Sequence, residues 1–279
     1  MPLLGIDASD FQGAVDWHAV KAAGRSFAFC KATEGVSFIA HSFSANWHGI
    51  KAAGLIRGAY HFGRPGSDPV AQAEFFWKTV SGAGYGIGDL PLVLDLETTD
   101  GASPERINAW TEAFVGKLTI LSGRKPMIYT GASFYSGPNL GCLLWLPSYF
   151  QAPITALRNI DPKLPPAWEH WTFWQHTDKM TVPGVHGPCD HSIFDGSLVD
   201  LQALAGINPP RTSLRQRLTK AGFGPKSIVN VIKALAKWNG KPGKPQPGDS
   251  DLFRRLTSAG FGADSARKIV EALRGKGGK

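Results

Sequence analysis

Lys21-Ala22-Ala23-Gly24 and Lys51-Ala52-Ala53-Gly54 stand thirty residues apart, and each closes an amphipathic stretch and leads straight into an apolar run. Asp16 is placed to cap the first of these helices, which carries Trp17, Val20 and Ala23 on one side. Glycine suits the left-handed residue that ends a helix. The runs that follow, Ser26–Lys31 and Leu55–Phe62, are short, apolar and read as strands. A strand–helix–strand unit repeating at this interval constrains the fold strongly, because parallel strands need a crossover connection and a helix is the usual one.

The rhythm continues. A helix is expected over Pro69–Val80, a buried strand over Leu90–Asp95, and a helix opened by Ser103 and Pro104 and closed by Gly123. Lys125–Thr130, Cys142–Leu146, Trp171–His176 and Asp190–Phe194 read as further short strands, after an apolar first run at Leu3–Asp7. Up to eight strands with interleaved helices predict an α/β fold, a (β/α) barrel. From Gly131 to Trp171 the chain is rich in Pro, Gly and aromatic residues and leaves little room for full helices, so a flattened or incomplete barrel is expected. In such a barrel the functional groups sit at the C-terminal ends of the strands.

Acidic residues fall where that rule would place them. Asp7 ends the first strand, Asp95 ends Pro91-Leu-Val-Leu-Asp95, Glu97 follows at i+2, and Asp190 opens the last strand. In extended chain an i,i+2 pair shares a face, with Cα atoms about 6.5–7 Å apart. A strand buried in a parallel sheet is normally apolar throughout, so two carboxylates at its end need a reason. The bland reasons are a helix cap or an ion pair with a nearby Arg. The chemical reason is that crowded carboxylates raise one another's pKa, leaving one protonated as a general acid. Glycosidic cleavage needs that proton together with negative charge beside an oxocarbenium-like centre. Tyr60, Phe62, Tyr129, Trp145, Tyr149, Trp171 and Trp174 lie near the strand ends, where flat rings would suit the apolar faces of sugars.

Leu4-Gly-Ile-Asp-Ala-Ser-Asp-Phe-Gln-Gly13, Asp16-Trp17 and Phe29-Cys-Lys-Ala-Thr-Glu-Gly35 resemble the glycoside hydrolase family 25 lysozymes, the Chalaropsis-type muramidases. So do Gly58-Ala-Tyr-His-Phe62, Leu92-Val-Leu-Asp-Leu-Glu97, Pro126-Met-Ile-Tyr-Thr130, Trp174-Gln175 and Asp190-His-Ser-Ile-Phe194, in order across roughly residues 3–205. The resemblance implies hydrolysis of the β-1,4 bond between N-acetylmuramic acid and N-acetylglucosamine in bacterial peptidoglycan. It implies Glu97 as general acid, Asp95 as its orienting or stabilising partner, and Asp7 and Asp190 as two further carboxylates on the groove floor. Tyr60, His61, Phe62, Tyr129, Trp145 and Gln175 are the expected substrate contacts. Two motifs depart from the family pattern: Ser192 stands where Asn is usual, and His176 follows Trp174-Gln175 where Tyr is usual. His176 is expected to be structural, and Lys31 and Glu34 are expected to form a structural pair at the rim.

No cofactor and no metal site are expected. A metal-dependent hydrolase built on Asp7, His61, Asp95 and Asp190 lacks any His-x-His spacing. A chitinase and a catalytically dead glycan-binding module are the other rivals. The three cysteines, Cys30, Cys142 and Cys189, are too few and too odd in number for a disulfide framework and are expected as buried thiols. No run of 18 apolar residues would span a membrane. The opening residues carry no basic, apolar leader, so release by another agent is expected.

Charge divides the chain. Residues 1–207 hold 14 Lys and Arg against 18 Asp and Glu, whereas residues 208–279 hold 16 against 4. The basic part contains a repeat: Leu214-Arg-Gln-Arg-Leu-Thr-Lys-Ala-Gly-Phe-Gly224 matches Leu252-Phe-Arg-Arg-Leu-Thr-Ser-Ala-Gly-Phe-Gly262. The expected organisation is a catalytic domain over 1–207, helical repeats over 208–238 and 251–279, and a Pro/Gly/Lys linker over 239–250. The repeats resemble the short helical cell-wall-binding repeats of some phage lysins, which implies an anionic wall polymer as their partner. Nucleic acid is the disfavoured rival for so basic a segment. A bacteriophage endolysin, held in the host cytoplasm until lysis, is the resulting expectation.

Overall fold

The computed structural model describes residues 2–150, 153–157 and 160–207. The repeats and linker expected over 208–279 lie outside the described residues. The chain runs β1 (Leu3–Ala8), α1 (Trp17–Ala22), β2 (Phe27–Glu34), β3 (Phe38–Ile39), α2 (Phe43–Ala52) and β4 (Ile56–Phe62). It continues with α3 (Pro69–Gly82), β5 (Val93–Asp95), α4 (Pro104–Ser122), β6 (Met127–Tyr129) and β7 (Leu143–Pro147). Then come α5 (Ile154–Leu157), β8 (Phe173–Met180), β9 (Cys189–Phe194) and α6 (Leu198–Leu204).

The helix signals act as their chemistry requires. Asp16 Oδ1 accepts from the Ala19 amide at 3.0 Å, and Asp68 Oδ1 from the Ala71 amide at 2.7 Å. Ser103 caps α4, with Pro104 in its first turn. Gly24 and Gly54, the ends of the two Lys-Ala-Ala-Gly stretches, take φ of +86° and +73°, where a side chain would be strained.

The strands form one closed ring. Parallel pairing links β1, β2, β4, β5, β6, β7 and β8 in sequence, and antiparallel β9 lies between β8 and β1. Two-residue β3 hangs on the outside edge of β2. The sheet is therefore complete; the coat of helices is what thins. No helix separates β6 from β7, α5 has four residues, and β8 turns directly into β9. Residues 181–188 are too few for a parallel crossover, so the last strand returns antiparallel.

Alternate residues fill the ring. Phe27, Phe29, Phe173 and Phe194 meet edge to face or tilted inside it, and Trp145 stacks on Phe29 at 4.3 Å. Gly5 and Gly58 leave the space these rings occupy: a Cβ on either would overlap Phe27 or Phe29. Leu201 of α6 and Ala205 close the bottom of this apolar plug. A second apolar layer, with Trp47, Phe76, Phe114 and Trp174, lies between the ring and its helices. Arg57 is buried there, bonding Asp89 Oδ1 at 2.7 Å with its guanidinium 3.7 Å from the Trp47 ring. All three cysteines are free and buried. No helix among the described residues is long and apolar enough to cross a membrane.

Candidate active site

With the bottom plugged, the open end of the ring is where the parallel strands finish. A cavity of about 350 Å³ lies there. Asp7 at the end of β1 and Asp190 at the start of β9 are direct register partners. The reversed direction of β9 is what brings its first residues to the end where the other strands finish. Asp95 pairs in register with Phe62 on one side and Tyr129 on the other, and Tyr129 with Trp145. Glu97 follows in the loop after β5 and reaches the same cavity. Tyr60, Phe62, Tyr129 and Trp145 form its walls.

Gln175 organises the floor. Its Nε2 donates to Asp7 Oδ2 at 2.9 Å, and its Oε1 accepts from the Tyr129 and Tyr149 hydroxyls at 2.7 and 2.8 Å. Burial holds both phenols above their usual range, so they stay neutral donors. Ser192, although shorter than Asn, still accepts from Trp145 Nε1 at 3.0 Å and fixes that ring.

The carboxyl groups repel ionisation in concert. Asp7 lies well above the usual carboxylate range, first through burial and then through the charge of Asp190. Asp95 is also well above it, through burial, then Glu97, then Asp7. Burial raises Glu97 while Lys31 draws it back down. Asp190 is pushed up to about 6 by burial and the charge of Asp178. One face thus gathers several carboxyl groups raised above the usual carboxylate range, an arrangement suited to holding a proton for acid-assisted glycosidic cleavage.

Of the expected contacts, His61 does not reach the cavity. It alternates with Tyr60 and Phe62 along β4 and so points out of the ring. It is fully buried, bonding Thr33 at 2.8 Å and Gln72 at 3.0 Å and stacking on Phe114. Trp171 and Trp174 likewise pack outside the ring, against one another. His176 is buried and bonds His191 at 2.8 Å, as a structural residue would. The cavity also takes in Lys31, expected at the rim only as one half of a structural pair with Glu34, and residues not expected there: Asp178, and Ser9, Phe11 and Gln12 of a 3-10 turn after β1. Phe11 is 93% exposed at the lip. Lys31 was legible, being the next inward position after Phe27 and Phe29. Asp178 was not, because the β8–β9 register shifts after Gln175. Among the described residues, no group of three or more His, Cys, Asp or Glu side chains could hold a metal ion.

Residues 6–185 match the sequence profile of glycosyl hydrolases family 25. The chain belongs to that family. Lysozyme M1 of Streptomyces globisporus is 38% identical to this family 25 enzyme over 210 residues, 72% of this chain and 70% of the relative. The N,O-diacetylmuramidase of Chalaropsis sp is 33% identical over 220 residues, 72% of this chain and 98% of the relative. The crystal structure of the bacterial lysozyme from Streptomyces coelicolor superposes with a TM-score of 0.66 at 35% identity, covering 74% of this chain and 98% of that one. The family 25 enzyme is a glycoside hydrolase whose relatives are lysozymes and muramidases, and its α/β barrel is the one those relatives share.

Proposed function

We propose that the enzyme hydrolyses peptidoglycan at the β-1,4 bond between N-acetylmuramic acid and N-acetylglucosamine, with Glu97 as general acid. The observation that carries this reading is the crowding of Asp7, Asp95, Glu97 and Asp190 in one aromatic-walled cavity. Glu97 is raised by burial yet only partly covered, so it can hold a proton and still meet a substrate oxygen. It gives that proton to the glycosidic oxygen as the C–O bond breaks and the electron pair leaves with the oxygen. Water completes the reaction at the anomeric carbon and returns a proton to the site. Asp95 orients the substrate's acetamido group and stabilises positive charge at the ring, and Asp7 and Asp190 complete the negative floor. Tyr60, Phe62, Tyr129, Trp145 and Gln175 contact the sugars. Full activity in excess EDTA would count against a metal-dependent alternative.

Glu97→Gln tests the assignment on purified peptidoglycan. The expected outcome is a loss of turnover of about 10²–10⁴-fold with an unchanged circular dichroism spectrum. New reducing ends should lie on muramic acid. Reducing ends on glucosamine, or a fully active variant, would overturn the reading.

The role in the cell is proposed on charge and composition. The +12 segment over 208–279 is suited to an anionic wall polymer, and two linked copies of the repeat would raise avidity. A bacteriophage endolysin, stored in the host cytoplasm and admitted to the wall after membrane breach, unites the two parts. Lysis of intact host cells from within by the enzyme alone would sink that idea.

A further inference from the structure

Lys31 is the one cation among the described residues that line the cavity, against Asp7, Asp95, Glu97, Asp178 and Asp190. It stands on the inward face of β2, in register with Tyr60 of β4. Its ammonium group is not free to swing. Nζ lies 2.5 Å from Glu34 Oε2, 4.9 Å from the centre of the Phe62 ring and 5.6 Å from that of Phe38. Its side chain keeps only 16% of its exposure. Arg64 stands behind Glu34 at 3.9 Å, lies over the same Phe62 ring, and pairs with Asp100 at 3.4 Å. The result is a row of alternating charge, Lys31, Glu34, Arg64 and Asp100, whose positive end lines the cavity that holds the Asp95/Glu97 pair.

We infer that Lys31, clamped by Glu34 and the Phe38 and Phe62 rings, is the positioning residue that sets how protons are divided between Asp95 and Glu97. The inference rests on the proposed roles of those two carboxyls. Asp7 from β1, Asp178 from β8 and Asp190 from β9 all face the pair with the same sign, and Tyr60 and Tyr129 face it as neutral phenols. Without a cation, burial and the surrounding carboxylate charges would favour keeping both members of the pair protonated. A fixed ammonium keeps one ionised while the other retains the proton to be donated. Its charge opposes the rise of both Asp95 and Glu97, whereas the charge of Glu34 adds to that of Asp95. Lys31 and Glu34 therefore act in opposite directions on Asp95, so removing either charge alone has an effect of known sign.

The test uses the full-length enzyme. Lys31→Met keeps an unbranched stem between the two rings and removes the charge. Both limbs of its kcat/KM profile against pH are expected to move upward by about 1 unit, the scale of one nearby opposite charge. Lys31→Arg is expected to restore the profile, and Glu34→Gln to move it downward. Carbon-13 titration of the side-chain carboxyls follows Asp95 and Glu97 directly in each variant. Carboxyl titrations that stay in place in folded Lys31→Met, or that move the same way in Glu34→Gln, overturn the inference. Titrations that move while the rate profile does not would sustain the electrostatic role of Lys31 and overturn the catalytic assignment of the pair. If Lys31→Met fails to fold, the downward shift in Glu34→Gln decides the matter, its absence overturning the inference.

Discussion

Asp95 is 8% exposed, and its Oδ1 accepts no hydrogen bond among the described residues. A buried carboxyl in that condition is costly to ionise, and the charges of Glu97 and Asp7 raise the cost. Asp95→Asn removes the charge and keeps the shape. It is expected to stabilise the fold by about 1 kcal/mol, a rise in Tm of about 2–4 °C, while turnover falls; calorimetry beside a turnover assay checks both. At this scale the residues were legible in part. Asp7, Asp95, Glu97 and Asp190 stood out because carboxylates at the ends of apolar strands contradict their surroundings. His61 lies within β4 rather than after it, and the two-residue alternation of a strand turns it to the face opposite Tyr60 and Phe62.

The β8–β9 hairpin shows what becomes visible only when elements pair. Its strands were recognisable as short apolar runs, but nothing in Asp190–Phe194 indicates direction. The hairpin buries two imidazoles against each other, and burial lowers His176 to about 4 and His191 to about 3. Their ordinary value is 6.5, so the folded state binds these protons less readily than the unfolded chain. The sign follows: this contribution to stability is fully present above pH 6.5 and is lost as pH falls toward 4 and then 3. Asp7, Asp95 and Asp190, raised in the fold, act the opposite way over acid pH. A double variant, His176→Leu with His191→Leu, isolates the hairpin. Its Tm should fall less steeply than that of the parent between pH 6.5 and 4. Equal slopes would show that the pair takes up no protons on unfolding in that range.

For the whole molecule, the thirty-residue rhythm was enough to predict a barrel, because few folds accommodate repeated strand–helix units. Closure was not legible, since it depends on β1 meeting both β2 and β9, contacts far apart in the chain. The division of charge at residue 207 was legible from composition alone. Its consequence is measurable. A chain ending at Ile207 is expected to keep turnover on soluble glycan fragments and to lose retention on intact walls. That loss should grow less marked as salt screens the full-length chain, since Debye screening shortens to about 3 Å at 1 M. Equal retention of both forms at low salt would remove the proposed role of the basic segment.

The return of β9 between β8 and β1 also fixes when in synthesis the ring can close. Asp7 is made long before its register partner Asp190, which lies on the last strand of the ring. A nascent chain that stops before Cys189 has an open sheet and lacks that partner. Fragments from synthesis interrupted before that point therefore carry neither a closed ring nor the paired carboxyls of Asp7 and Asp190.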